Sequence, residues 1–278
     1  MKLKLVLYLI LTSLYSFGQG RIDGFYKGKG SLDVVFACGY ENNTSYLAGK
    51  NKINFGRKIS FANLYLAYGL TDRLDVNFSL PYLSVNNAEK GVQDFNFNLK
   101  YLFFTKVKDF CGSGYFSTFI KNEFSFSLGG TSNITEYQTE GGNALGQQAK
   151  IVDTRLVYHR NYNDKRFITI QTGYSFKLSP TPNSFPLAIK FGVTKSKLYT
   201  DVWYEYQYSF GGLDYKGTPV PSSFRELGVN YHKIGTTFYR PIKNKFGIFA
   251  GVSYLLSGRN TSQGLGVNAG IVLKHIKK

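Results

Sequence analysis

Cysteine is almost absent. Two residues, Cys38 and Cys111, among 278 cannot staple a disulfide scaffold. No apolar run reaches the roughly 20 residues of a membrane-spanning helix, which excludes a helical membrane protein. Histidine is scarce: His159, His232 and His275 form no cluster with cysteine or carboxylate at ligand spacing. The glycines at Gly28 and Gly30 precede no Lys-Ser/Thr pair, so there is no phosphate loop. No metal and no cofactor are expected. Acidic residues are also few, 17 against 34 Lys and Arg, for a net charge of +17. Such a charge raises the idea of a nucleic-acid or anion binder, to be tested by where the charge lies.

What is present is aromatic and apolar. Phe, Tyr and Trp make up 17% of the chain and hydrophobic residues 43%, too many for a disordered segment. The N-terminus carries Lys2 and Lys4, then an apolar run from Leu5 to Leu14, then Ser16 and Gly18 before Gln19. This is the layout of an export signal, with residues 1–18 removed after cleavage. No cysteine follows the apolar run closely enough for a lipid anchor. Loss of Lys2 and Lys4 lowers the net charge from +17 to +15.

The rest alternates with a period of two. Leu74-Asp75-Val76-Asn77-Phe78-Ser79-Leu80 is one clear case, and Asp94-Phe95-Asn96-Phe97-Asn98-Leu99-Lys100-Tyr101 is another. In the stretch from Thr200 to Tyr208, Val202, Tyr204, Tyr206 and Tyr208 share one face, and Asp201, Glu205 and Gln207 the other. Such alternation marks strands with one apolar and one polar face. About twelve are expected, near 31–40, 57–68, 74–82, 93–104, 115–128, 150–159, 167–176, 186–194, 198–210, 225–239, 246–256 and 265–274. The second and tenth are the least regular, because Asn63 and Lys233 fall among apolar neighbours; a bulge is expected there.

Connections alternate in length. Those at 41–56, 83–92, 129–149, 177–185, 211–224 and 257–264 are long, and the others mostly shorter. Long surface loops alternating with tight periplasmic turns belong to an outer-membrane barrel. An unpaired backbone group in hydrocarbon costs several kcal/mol, so the sheet must close on itself. The expected fold is therefore all-β, a transmembrane antiparallel up-and-down barrel over 31–274. A periplasmic N-terminal segment over 19–30 precedes it, a short tail at 275–278 follows, and there is no plug domain.

In such a barrel the apolar face meets lipid and the polar face the lumen. The expected lumen-lining residues are Asp94, Asn96, Asn98, Lys100, Lys121, Glu123, Asp153, Arg155, Lys190, Asp201, Trp203 and Glu205. With Asp33, Asp75 and Glu226 also inward, the lumen leans acidic. Tyr68, Tyr82, Tyr101, Phe103, Phe116, Tyr158, Tyr199 and Tyr239 lie near strand ends, where aromatic girdles meet the lipid interfaces. Basic residues crowd the N-terminal segment and the short turns, from Lys27, Lys29 and Arg73 to Lys243, Lys245, Lys277 and Lys278. The excess charge then forms a basic skirt at the periplasmic rim, facing anionic lipid headgroups rather than nucleic acid.

One stretch is familiar. Tyr68-Gly69-Leu70-Thr71-Asp72-Arg73-Leu74 closes a strand, turns and opens another, which ends at Leu80-Pro81-Tyr82. With Gly24-Phe25-Tyr26-Lys27-Gly28-Lys29-Gly30 and Tyr239-Arg240-Pro241, this resembles the outer-membrane barrels of the meta-pathway of phenol degradation family, found in Bacteroidetes-type genomes. The resemblance implies an outer-membrane channel for small aromatic or hydrophobic compounds. One departure is the C-terminus, Leu273-Lys274-His275-Ile276-Lys277-Lys278, which lacks the terminal aromatic residue that barrel assembly machinery reads.

The expected function is passive passage of small solutes, without enzymatic activity or energy coupling. Partners are outer-membrane lipid, the solute, and the assembly machinery during biogenesis. Two other readings stay open. A barrel lipid hydrolase would use His159 near Asn161, though no serine stands at a suitable spacing. A sealed, adhesive barrel would act through loop 129–149.

Overall fold

Alternation decides which side of each strand faces out, and the computed structural model shows the consequence. It describes residues 23–111, 117–243 and 245–275; the export signal, Phe116 and Ile276–Lys278 lie outside these. Among the described residues twelve long strands form the wall: Leu32–Ala48, Arg57–Thr71, Leu74–Val85, Phe95–Cys111, Ser117–Ser132, Ile151–Tyr162, Arg166–Lys177, Ser184–Lys195, Leu198–Ser209, Asn230–Lys243, Phe246–Arg259 and Thr261–His275. Each pairs antiparallel with the next. The last pairs with the first, from Leu32 opposite His275 to Leu47 opposite Thr261, so no edge is left.

The outer face is apolar. Leu156, Phe191, Val202 and Phe238 are each more than half exposed, and Tyr68, Tyr82, Tyr101 and Phe103 stand outward as expected. Tyr199 and Tyr239 do not join the girdle. Tyr199 stacks on Phe167 and donates to Asp201 Oδ2 at 2.7 Å, while Lys274 lies over the Tyr239 ring at 5.0 Å. Both share a face with Asp201 or Gly235 and point inward, because parity along the strand, not proximity to its end, sets direction. Cys38 is an exposed thiol on the outer face.

Inside, the usual soluble core is inverted. Asn98, Lys100, Asp153, Arg155, Gln171 and Asp201 are buried. Large inward rings are accommodated by glycine on the neighbouring strand: Phe61 lies across Gly39, Phe167 across Gly192 and Trp203 across Gly235, where a Cβ would collide.

Several boundaries differ from expectation. Strands run 12 to 17 residues, longer than the ~9–11 a bilayer requires, so they project beyond it. There no lipid demands an apolar outer face and a register shift falls between Asn43 and Ser45, so alternation fades, which is why 41–56 read as loop. It is strand to Ala48, and Asn51–Ile53 turns back onto it. Likewise Glu89–Val92 folds back on Leu74–Val85 through Asn86 and Asn87, both in the left-handed region. The connection expected at 257–264 is a tight turn at Asn260, so loop alternation fails at that last pair. Glu226 sits in a short 3₁₀ turn within loop 210–229, not on a strand, and Ser222 donates to it. A register shift does fall at His232/Lys233, as expected. None falls at Asn63, which faces the lumen beside Phe61 and Tyr65; its apolar neighbours are lumen residues.

Candidate functional site

The lumen is divided into a floor, a chamber and a cap. The floor is the segment Asp23–Gly30, part of the expected periplasmic N-terminal segment. It enters the lumen at the end that carries the tight turns. Phe25 packs on the His159 ring at 4.6 Å and on Phe167 at 5.0 Å. Tyr26 donates to Ser125 Oγ at 2.7 Å. Lys100 Nζ donates to the carbonyls of Asp23 and Phe25 and lies 4.0 Å over the Tyr26 ring. Lys27, placed by sequence on the outer skirt, is inside, 3.0 Å from Asp33 and 3.4 Å from Asp23. Two close approaches need glycine. A Cβ on Gly24 would strike His159 and Thr169, and one on Gly69 would strike the Gly28 backbone. The period of this segment is neither two nor 3.6, so no local signal announced its docking.

The floor's charges are matched. Burial alone would raise the Asp23 carboxyl, but Lys27, Lys190 and Lys100 hold it well below the usual carboxylate range. Burial opposes the Lys27 charge, yet Asp23 and Asp33 raise its affinity for the proton overall. The Tyr26 phenol is pushed up by burial.

The cap is made of two loops, 133–150 and 210–229, that interlock over the other end. Phe224 N donates to Thr139 O at 2.8 Å, and Gln147 Nε2 donates to the carbonyls of Phe224 and Leu227. Ala144, Leu145 and Leu227 are buried by this closure. Arg57 donates to Ala144 O, and Gln93 to Leu145 O at 2.9 Å. Tyr137 donates to Asp94 Oδ1 at 2.8 Å; burial pushes the Asp94 carboxyl up to about 6, against that hydrogen bond. Asn260, left-handed at its tight turn, ties loop 210–229 down through the carbonyls of Leu213 and Gly228. Arg259 adds a 2.5 Å contact to Asp214.

Between floor and cap lies a cavity of about 780 Å³. Every residue expected to line the lumen is on the inner face, but the set splits in two. Asp94, Asn96, Asn98 and Glu205 line the chamber, and Trp203 with Glu205 lines an adjoining space of about 130 Å³. The others are engaged in ion pairs: Lys100 with Asp75, Lys121 with Glu123, Arg155 with Asp153, and Lys190 with Asp201. Sequence reading missed Arg57 and the pair Lys233–Glu41 at 2.9 Å. Glu41 lay in an expected loop, and the bulge hid the facing of Lys233. With Lys27, Arg57 and Lys233 inside and Glu226 outside, the acidic lean narrows but persists, because Asp23 and Glu41 are inside as well. His159 Nδ1 is 2.8 Å from Thr169 Oγ1, beneath Phe25.

No family model matches the chain, and no curated protein does. Solved structures do. An outer membrane channel from Pseudomonas putida F1 superposes with a TM-score of 0.67 over 92% of this chain and 100% of its own, at 14% identity. The NanC porin gives 0.50 over 87% and 98%, at 10% identity. At these identities the likeness is one of fold. The fold is the closed barrel of outer membrane channels and porins, and with its apolar belt it places the chain in the bacterial outer membrane.

Proposed function

We propose that this outer-membrane barrel is a gated channel for passive passage of small solutes. The observation that carries the reading is the chamber of about 780 Å³ inside the barrel, set between a floor and a cap that are held only by non-covalent contacts. A structural barrel needs no such void. The floor and cap, in contrast, are local segments that leave the wall intact if they move. In this reading the tight turns and both termini face the periplasm, and residues 1–18 are the export signal, so the mature chain begins at Gln19.

The aromatic or hydrophobic solute implied by the family resemblance would meet a chamber wall in which amides and hydroxyls alternate with apolar side chains such as Ile59, Leu83 and Leu255. The hydrolase reading is disfavoured by His159, which lies on the lumen side beneath Phe25, away from lipid. The sealed-barrel reading shares the floor and cap, and conductance separates it from a channel. Single-channel recording in planar bilayers should show brief openings from a mostly closed baseline. A barrel that stays silent even after its floor is unlatched is not a channel.

A further inference from the structure

The chamber's chemistry goes further than its volume. Its size falls within the ~300–1,000 Å³ of small-molecule sites. Its wall sets side-chain amides and hydroxyls, among them Asn63, Asn77, Asn96, Asn98 and Ser79, among apolar side chains such as Ile59, Leu83, Leu145 and Leu255. An amide presents a donor and an acceptor side by side. That is the complement of an alcohol hydroxyl, which also does both.

Charges of both signs line the wall, Glu41, Asp94 and Glu205 with Arg57 and Lys233. Lys233 is paired with Glu41 at 2.9 Å, Asp94 is held by Tyr137, and the Arg57 guanidinium is directed to the Ala144 carbonyl. A charged solute therefore meets no field of one sign to select it. An aromatic hydrocarbon would strip water from the amides and return no hydrogen bond, at a cost of about 1–3 kcal/mol for each such group.

Some wall atoms lack protein partners. The Tyr46 hydroxyl, Arg57 Nε and Ser262 Oγ are buried without a hydrogen-bond partner. Buried polar atoms are satisfied as a rule, so water or a small shift of neighbouring groups must supply these bonds. Tyr65 adds a flat apolar ring to the same wall, suited to the C–H face of a pyranose.

We infer that the chamber is a binding site for an uncharged polyhydroxylated solute, a sugar or short oligosaccharide. The inference rests on the channel reading above and adds the class of solute.

Trp203 is the only tryptophan, and it lines the adjoining space together with Glu41, Glu205 and Lys233 of the chamber wall. Its fluorescence thus reports occupancy in the full-length, detergent-folded protein. Titration with maltose and raffinose should give a saturable change, and titration with benzoate and phenol none. In Asn63→Leu the sugar affinity should fall tenfold or more. Asn63→Ser, which keeps one hydroxyl, should fall less. Heat-modifiable migration on gels verifies that each variant is folded.

Liposome swelling separates this inference from the reading beneath it. Ion conductance without sugar binding or sugar-driven swelling would overturn the sugar assignment and leave the channel standing. Saturable binding of benzoate or phenol in place of sugar would overturn it too. Absence of conductance in every variant would remove the channel reading itself.

Discussion

Lys100 Nζ donates to the Phe25 carbonyl at 2.7 Å, joining a wall strand to a segment 75 residues earlier in the chain. The same ammonium reaches the Asp23 carbonyl and lies 3.6 Å from Asp75. One buried cation therefore fastens the floor to the wall.

Lys100→Met should release that floor. Channel recordings should show longer and more frequent openings than the wild type. The variant also leaves Asp75 buried without its cation, and loss of one partner of a buried pair costs about 3–5 kcal/mol. Denaturant unfolding of the detergent-folded barrel should show that loss. It should be partly restored in Lys100→Met/Asp75→Asn. Unchanged gating in a folded variant would mean that the floor does not control passage.

Gly24→Leu tests the floor from the other side. The new side chain cannot fit between the segment and His159 or Thr169. The wall does not depend on it, so heat-modifiable migration should persist while conductance rises. Retention of the closed baseline would show that the segment has another way to seat.

The cap should respond to pH. The Asp94 carboxyl is raised to about 6 by burial under the closed loops. A raised carboxyl stabilises closure in its protonated form. The contribution is therefore complete below about pH 4 and is lost as pH rises through about 6. Limited proteolysis within loop 133–150 should be slower at pH 4.5 than at pH 8. In Asp94→Asn the loop should resist at both values. The floor should not respond over this range, because Asp23 is held well below the usual carboxylate values.

Asn260→Gly keeps a residue suited to positive φ but removes the side chain that binds Leu213 and Gly228. Loop 210–229 should loosen, seen as faster tryptic cleavage at Lys216 or Arg225. The neighbouring strands Phe246–Arg259 and Thr261–His275 should keep their pairing.

The exposed bases at the turn end, including Arg73, Lys195, Lys197 and Lys245, lie apart from the lumen. Neutralising Lys195 and Lys197 should weaken association with anionic lipid vesicles, and leave ion selectivity unchanged. A change in selectivity would place those side chains on the solute path.

The alternating pattern along each strand dictates the wall. In a barrel each strand has one face to lipid and one to the lumen, and this requirement is met residue by residue. Asp94, Asn96, Asn98 and Lys100 show it locally, and so do Asp201, Trp203 and Glu205. Closure follows, because hydrocarbon tolerates no open edge. Where a strand projects beyond the lipid, as from Glu41 to Ala48, the constraint lapses and strand is read as loop.

Tertiary structure alone decided how the lumen is filled. Asp23–Gly30 has no periodic face of its own. Its place is set by Lys100, Ser125 and His159, contributed by strands far along the chain. Lys27 could be counted from sequence as a rim charge, yet its partners Asp23 and Asp33 hold it inside. The cap is likewise a meeting of two loops, Gln147 with Phe224 and Leu227, that no local pattern links. Period-two burial against lipid is a property of neighbours in sequence, whereas floor and cap exist only once the closed wall brings distant residues within hydrogen-bonding reach.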